Sequence, residues 1–372
     1  MTSSIDRLLA YQIEARHFPG AVVHVERAGK VLAHQAAGLL GPGSDVPMHD
    51  GALFRLASLS KPVVSFAAMM QVGEGLLELD APASAYLPVL HGLRMKRGAR
   101  PDRAPTVRDL MRHTSGLAYA WENRDAEVRE MALQSDVLAQ MPCVDEAAFV
   151  AALVALPLAA QPGTAFRYGY STDILALIVA RLDGVPLGRA LKTRIFDRLG
   201  MNETGFSVPA ADQARLASAY AADTAWQGSA QGYGVRQHGR PWMESGGGGL
   251  VSTLGDYASF ARMLANGGSQ GGERLLSPAL FQEMSRNQLP AGLDGPLAYT
   301  GSGFGFGLAL AVRLDWGPAA MPCVAAEMAW SGISGTALFV HPHAQWFAIS
   351  FTSNMASRMM ARMEFRRAAA LL

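Results

Sequence analysis

Two serines and a lysine stand at the head of an apolar run in Phe54–Met70, FRLASLSKPVVSFAAMM. Ser58 and Lys61 form S-x-x-K, which on a helix sets an amine one turn from a hydroxyl on the same face. The chemistry of such a pair is nucleophilic: the amine, alone or sharing a proton with a neighbouring group, helps take the hydroxyl proton while the oxygen attacks an acyl carbon, and an acyl-enzyme forms. The same letters also suit an ordinary helix start in which Ser58 or Ser60 caps the first turn. The base role makes a further demand, because an amine of pKa about 10.4 is neutral in only roughly one copy per 2,500 at pH 7. A shift of about three units takes roughly 4 kcal/mol, more than a helix dipole supplies. Burial and a polar partner are therefore required, and a phenol is suited to passing a proton between serine, lysine and leaving group.

Other candidates carry less. Gly267-Gly268-Ser269-Gln270-Gly271 satisfies G-x-S-x-G, but it follows a helical pattern in a polar turn, whereas a nucleophile elbow needs strand, turn and helix. Ser269 is expected to be inert. His341 and His343 flank a proline at a hairpin turn and lack nearby ligands, so a solvated turn is expected there and no metal or cofactor. Cys143 and Cys323 match neither a disulfide framework nor a zinc spacing and read as buried thiols.

The elements that must hold Ser58 and Lys61 can be read from periodicity. GAVVHVERAGKVLAHQAAG alternates as a hairpin turning at Ala28-Gly29-Lys30. Helical faces run through VVSFAAMMQVGEGLLEL, TVRDLMRH and STDILALIVARLDG, and later through LGDYASFARMLANGG. Strand-like segments GFGFGLALAVRLD, GTALFVHP and WFAISFTSN close the chain. An α+β fold is expected, its antiparallel sheet built from both termini (residues 1–60 and 240–372) around an inserted, mostly helical domain (61–239) with the site between them. With 372 residues, half of them hydrophobic, the chain can bury a large core. A formal charge of +1 with no basic block argues against nucleic acid. No apolar stretch is long enough for a bilayer, and the first 20 residues read as an amphipathic helix with no resemblance to a leader; a cytoplasmic protein is the expectation.

In five segments taken in order, the sequence resembles the serine β-lactamase and penicillin-binding-protein superfamily, in particular its class C-like carboxylesterase branch. FPGAVVHVERAGKVLAHQAAG is similar to the family's opening hairpin, ALFRLASLSKPVVS to its nucleophile segment, and TVRDLMRHTSGLAY to a recurrent internal stretch. QPGTAFRYGYSTDILALIVARLDG resembles its tyrosine segment and ESGGGGLVSTLGDYASFARML the helix before the last strands. The resemblance implies a β-lactamase/transpeptidase-like fold, Ser58 as nucleophile, Lys61 as its amine and Tyr168 as the phenol, with either Lys61 or Tyr168 as the general base. Tyr170 takes the place of an Asn that orients acyl groups, and core packing is the favoured reading of its ring. His113 becomes a wall residue and not a triad base. A third motif reads WSGISGT: Trp330 replaces a cation, Ser331 and Gly332 line the strand edge, and the N–H groups of Ser58 and Ile333 are the implied oxyanion hole. Gly332 and Gly335 are read as letting substrate approach.

A cofactor-free serine carboxylesterase is therefore expected, taking small or medium acyl groups against a wall of Trp330, Tyr119 and Trp121. A β-lactamase, peptidase or amidase, or an acyltransferase, on the same fold is the alternative. If a substrate carboxylate is held at all, the arginines near Arg236 and Arg240 are the first place to look.

Overall fold

The computed structural model describes residues 4–220, 234–236, 239–315, 318 and 323–372. Arg236 and Arg240 lie among these residues, but neither lines the cavity described below.

The hairpin forms as its sequence demands. Strands Gly20–Arg27 and Lys30–Gly38 pair antiparallel, with Arg27 opposite Lys30. Only Ala28 and Gly29 turn the chain, at φ 48° and 78°, the pair of left-handed residues that a two-residue hairpin matching the strand twist requires. A bulge between Val25 and Glu26 shifts the register.

Seven antiparallel strands make the main sheet. Across it lie Lys30–Gly38, Gly20–Arg27, Trp346–Thr352, Ala337–His341, Met328–Ser331, Ala311–Arg313 and Phe304–Phe306. The first strand of the chain thus sits between the second and the last. Side-chain alternation sends the first strand's residues to two cores. Ala21, Val23 and Val25 pack with Ile5 and Leu9 of the N-terminal helix Ser4–Glu14 and with Phe365 of the C-terminal helix Arg358–Ala369. Val22 instead joins the larger core containing Tyr257 and Phe260 of the helix Leu254–Ala265. A sheet covered on both faces explains why Trp346–Thr352 is buried throughout and mostly apolar.

Between the hairpin and the later strands the chain is mostly helical. The helix Ser60–Gly73, here called the nucleophile helix after the role expected of Ser58, is buried nearly all round and packs against the tyrosine helix Ser171–Asp183, which a left-handed Gly184 ends. The apolar run predicted as helix through Leu79 stops at Gly73, with Gly75 at φ 73°. Thr106 and Asp109 form a capping box on the helix Val107–Met111 in the TVRDLMRH stretch.

Candidate active site

Ser58 is not a cap. It lies in a single 3-10 turn, Ala57–Leu59, that runs into the nucleophile helix, and neither helix start has a side-chain cap bond. Ser60 instead accepts a hydrogen bond from Leu250 N at 3.0 Å. Ala57 holds φ 47°, a left-handed conformation that costs a non-glycine residue about 1–3 kcal/mol and needs a surround that enforces it. That surround is present. Leu56 N donates to Leu250 O at 2.8 Å, Tyr257 OH to Leu59 O at 2.9 Å, Ser334 Oγ to Arg55 O at 2.7 Å and Thr336 Oγ1 to Leu56 O at 2.9 Å.

Those last two bonds tie the turn after Met328–Ser331 to the nucleophile segment. They also add to the reading of Gly332. A Cβ there would lie 2.3 Å from Thr336 Oγ1 and 2.4 Å from Leu56 O, so the glycine allows close packing of the chain on itself as well as lining the cavity. Gly335 likewise faces Thr352 Oγ1, at 2.3 Å from an added Cβ.

Lys61 is buried and donates to Ser58 Oγ at 3.3 Å, Tyr119 OH at 3.3 Å and Gly247 O at 2.6 Å. Three acceptors match the three protons of an ammonium; the neutral amine keeps two donors and turns its lone pair to Ser58. The Gly247 carbonyl is aimed by Asp173, whose Oδ1 accepts from Gly247 N at 3.0 Å and Ser245 Oγ at 2.6 Å. Burial raises the Asp173 carboxyl above its usual range, opposed first by the Lys61 charge. The four glycines 246–249 permit this approach, since a Cβ on Gly247 would meet Asp173 Oδ2 at 2.4 Å.

Lys61 Nζ lies 4.6 Å from the centre of the Tyr168 ring, and the Tyr168 hydroxyl accepts from Trp330 Nε1 at 3.3 Å. The indole that replaces a cation is therefore a donor to the phenol as well as a wall. His113 packs on Tyr168 at 4.6 Å between centroids; burial, with the Lys61 charge second, holds it well below the usual histidine range, so it stands as a neutral wall.

A cavity of about 580 Å³ opens on Ser58. Tyr119, Trp121, Tyr168, Tyr170, Trp330, Ser331, Gly332 and Ile333 all line it, so the residues singled out in the sequence come together except Lys61, which sits behind Ser58. Tyr170 does both things weighed for it: it lines the cavity and packs edge-on against Tyr119 and Phe149. Trp121 stacks on Tyr119 and donates to Tyr299 OH at 3.2 Å. Ser269 donates to Asn266 O in a short strand far from the cavity lining. His341 accepts from Ala344 N in its turn, and no metal-holding cluster occurs among the described residues. Cys143 is buried and Cys323 half-buried, both free thiols.

Four features were missed by sequence reasoning: the Tyr119 hydroxyl on Lys61, the Asp173 brace, and Arg358 and Arg362 of the C-terminal helix, which line the cavity beside Met355 and Met359. The stretch S-R-M-M-A-R, Ser357–Arg362, reads only as a basic helix start.

The beta-lactamase family model matches residues 5–372. The chain belongs to the beta-lactamase family. Its sequence relatives include Protein Rv1367c of Mycobacterium tuberculosis, 34% identical over 336 residues that cover 85% of this chain and 81% of the relative. Esterase EstB of Burkholderia gladioli is 29% identical over 359 residues, 91% of this chain and 87% of EstB. A solved structure titled "EstCE1, a hydrolase with promiscuous acyltransferase activity" shares the fold at a TM-score of 0.83 and 24% identity, covering 98% of this chain and 97% of that one. This beta-lactamase-family chain is thus a serine hydrolase on a penicillin-binding-protein-like fold. No helix among the described residues is long and apolar enough to cross a membrane.

Proposed function

We propose that this chain is a carboxylesterase that works through an acyl-enzyme on Ser58. The observation that carries the reading is the buried Lys61 amine 3.3 Å from Ser58 Oγ, behind a cavity of about 580 Å³; its likeness to Esterase EstB supports the substrate class. In acylation Ser58 Oγ attacks the ester carbonyl and its proton passes to neutral Lys61. The developing oxyanion is met by the backbone N–H groups of Ser58 and Ile333, and Tyr168 gives its proton to the departing alkoxide. The resulting phenolate keeps the Trp330 N–H as donor and lies beside the Lys61 ammonium. In deacylation water loses a proton to Tyr168, its oxygen attacks the acyl carbon, and Lys61 returns the proton to Ser58. Tyr119, bonded to Lys61, steadies the amine.

The aromatic lining suits small or medium acyl groups, and an alcohol in place of water would make the same intermediate a transferase. Intact-mass measurement after an ester panel and a phosphonate, with the labelled peptide mapped, tests the reading. One added acyl or phosphonyl group on the Ser58 peptide is expected; label on Ser269 or on no serine overturns it.

A further inference from the structure

Outside the cavity lining, five titratable or charged side chains form one line of contacts across the sheet. His24 and His34 are direct cross-strand partners in the hairpin, and their Nδ1 atoms stand 3.0 Å apart. His24 Nε2 lies 3.1 Å from Glu26 Oε2, and His34 Nε2 lies 3.0 Å from Asp50 Oδ1. Glu26 also accepts from Arg262 Nε and Nη2 of the helix Leu254–Ala265, at 2.7 and 2.6 Å. His24 and Glu26 are buried, while His34 and Asp50 reach solvent. The last strand brings no ionisable group to the pair, only the Phe347 ring stacked on His24 at 5.5 Å between centroids.

Counting hydrogens fixes the charge of this arrangement. A carboxylate only accepts, so both Nε2 atoms must carry hydrogen. The two Nδ1 atoms face each other at hydrogen-bond distance, and that contact is attractive only with a single hydrogen between them. Three hydrogens on four ring nitrogens is one more than two neutral imidazoles possess. Once the pair takes that proton from water, all four ring nitrogens are bonded. Without it, either two lone pairs meet at 3.0 Å or one carboxylate loses its donor. A further proton would set two N–H groups against each other, and burial already holds His24 below the usual histidine range, with Glu26 opposing and His34 and Arg262 adding.

Both ends of the line reach segments next to Ser58. Asp50 belongs to the stretch that leads from the hairpin into Phe54–Arg55 and the nucleophile turn. In that stretch Met48 N donates to Gly38 O and Ala52 N to His49 O, both at 2.9 Å, and Arg215 Nε donates to Gly51 O at 2.8 Å. Arg262 lies on the helix whose Tyr257 holds Leu59 O. We propose that His24 and His34 share a single excess proton that latches the outer strand to the segment leading into Ser58, and that the latch releases when the proton is lost. The latch is a response of the scaffold to pH and is independent of the esterase reading.

In the unfolded chain each ring titrates near about 6.5. Above that pH the unfolded chain has shed a proton that the native pair holds, so the stability supplied by the latch fades as pH rises and the native pair loses it. Below that pH the unfolded chain takes a second proton that the native pair refuses, so stability falls as pH drops. Two measurements test the latch. With histidine nitrogens isotopically labelled, magnetic resonance at about pH 6.5 should show scalar coupling between two Nδ1 nuclei across one hydrogen, lost by about pH 9 and missing in His34→Leu. No such coupling in wild type at about pH 6.5, or coupling unchanged at about pH 9, overturns the proposal whether or not the variant folds. In hydrogen exchange, corrected for intrinsic rates, protection of the Met48 and Ala52 amides should fall at least about threefold between about pH 6.5 and 9 in wild type and less than about twofold in His34→Leu. An equal fall in both proteins overturns the link to the Ser58 segment.

Discussion

Replacing Gly332 by alanine adds one methyl group at the point where the two halves of the implied oxyanion hole are joined. The added Cβ would lie 2.4 Å from Leu56 O and 2.3 Å from Thr336 Oγ1, where ordinary contact begins near 3.4 Å. The Thr336 hydroxyl can rotate away at the loss of its 2.9 Å bond to Leu56 O; the Leu56 carbonyl is main chain and cannot. The segments must therefore part by about 1 Å, the difference between 3.4 and 2.4. That displacement falls between Ile333, the next residue after Gly332, and Ser58, two residues after Leu56. A 1 Å error in a reacting geometry costs about 100-fold, in line with about 2.7–4 kcal/mol for a lost oxyanion donor. Overpacking should cost about 1–3 kcal/mol of stability, leaving a folded protein. We expect kcat for 4-nitrophenyl butyrate to fall about 100-fold in Gly332→Ala with a lower Tm. Gly205→Ala, where the new Cβ meets nothing within 4 Å, is the matched control. A folded Gly332→Ala enzyme with kcat within about threefold of wild type would refute both the geometry and the oxyanion assignment.

Lys61→Ala and Tyr168→Phe should each slow acylation by at least about two decades in stopped-flow measurements, and normal acylation in either folded variant removes that residue from the mechanism. Tyr119→Phe keeps the ring and removes one partner of Lys61; a loss of about tenfold or less is expected, and a loss equal to that of Tyr168→Phe would make Tyr119 the working phenol. Trp330→Lys should gain little penicillin hydrolysis, because it also removes the donor to Tyr168; penicillin turnover in wild type comparable to ester turnover would defeat the esterase reading. Burial depresses His113, so below its unfolded value of about 6.5 the unfolded chain takes a proton that the native chain refuses, and stability falls as pH drops. The urea midpoint should therefore fall more between about pH 7.5 and 5.5 in wild type than in His113→Gln, at up to about 1.36 kcal/mol per pH unit; equal slopes would exclude His113 as the cause.

The proposed reacting groups were legible because they lie in short segments with recognisable order. Ser58 and Lys61 need only one helical turn to meet, and Tyr168 precedes a helix whose stop is written in its sequence at Gly184. The hairpin was equally plain, since Ala28-Gly29 leaves no room for another turn. What escaped notice depends on contacts between distant segments. Asp173 acts through a carbonyl 74 positions later, and a backbone acceptor carries no side-chain signature. Arg362 reads as one more helix-surface arginine among 32 basic residues until the fold brings Ser331 to it. Gly332 was recognised as special, but its close packing on Leu56, in a distant segment of the chain, was not legible.

The position of the first strand between the second and the last has a consequence for how the protein is born. Synthesis delivers Gly20–Arg27 early, with Lys30–Gly38 at once on one edge. Its other edge waits for Trp346–Thr352, the last strand to be made. Through most of translation that edge offers unpaired N–H and C=O groups flanked by Val22, Val23 and Val25, the kind of open strand to which other chains add. The cavity is finished later still, because Arg358 and Arg362 follow the last strand. A ribosome that stalls after Ser58 but before Trp346–Thr352 therefore leaves a chain that already carries Ser58, still shows an adhesive edge, and lacks the two arginines of the final helix.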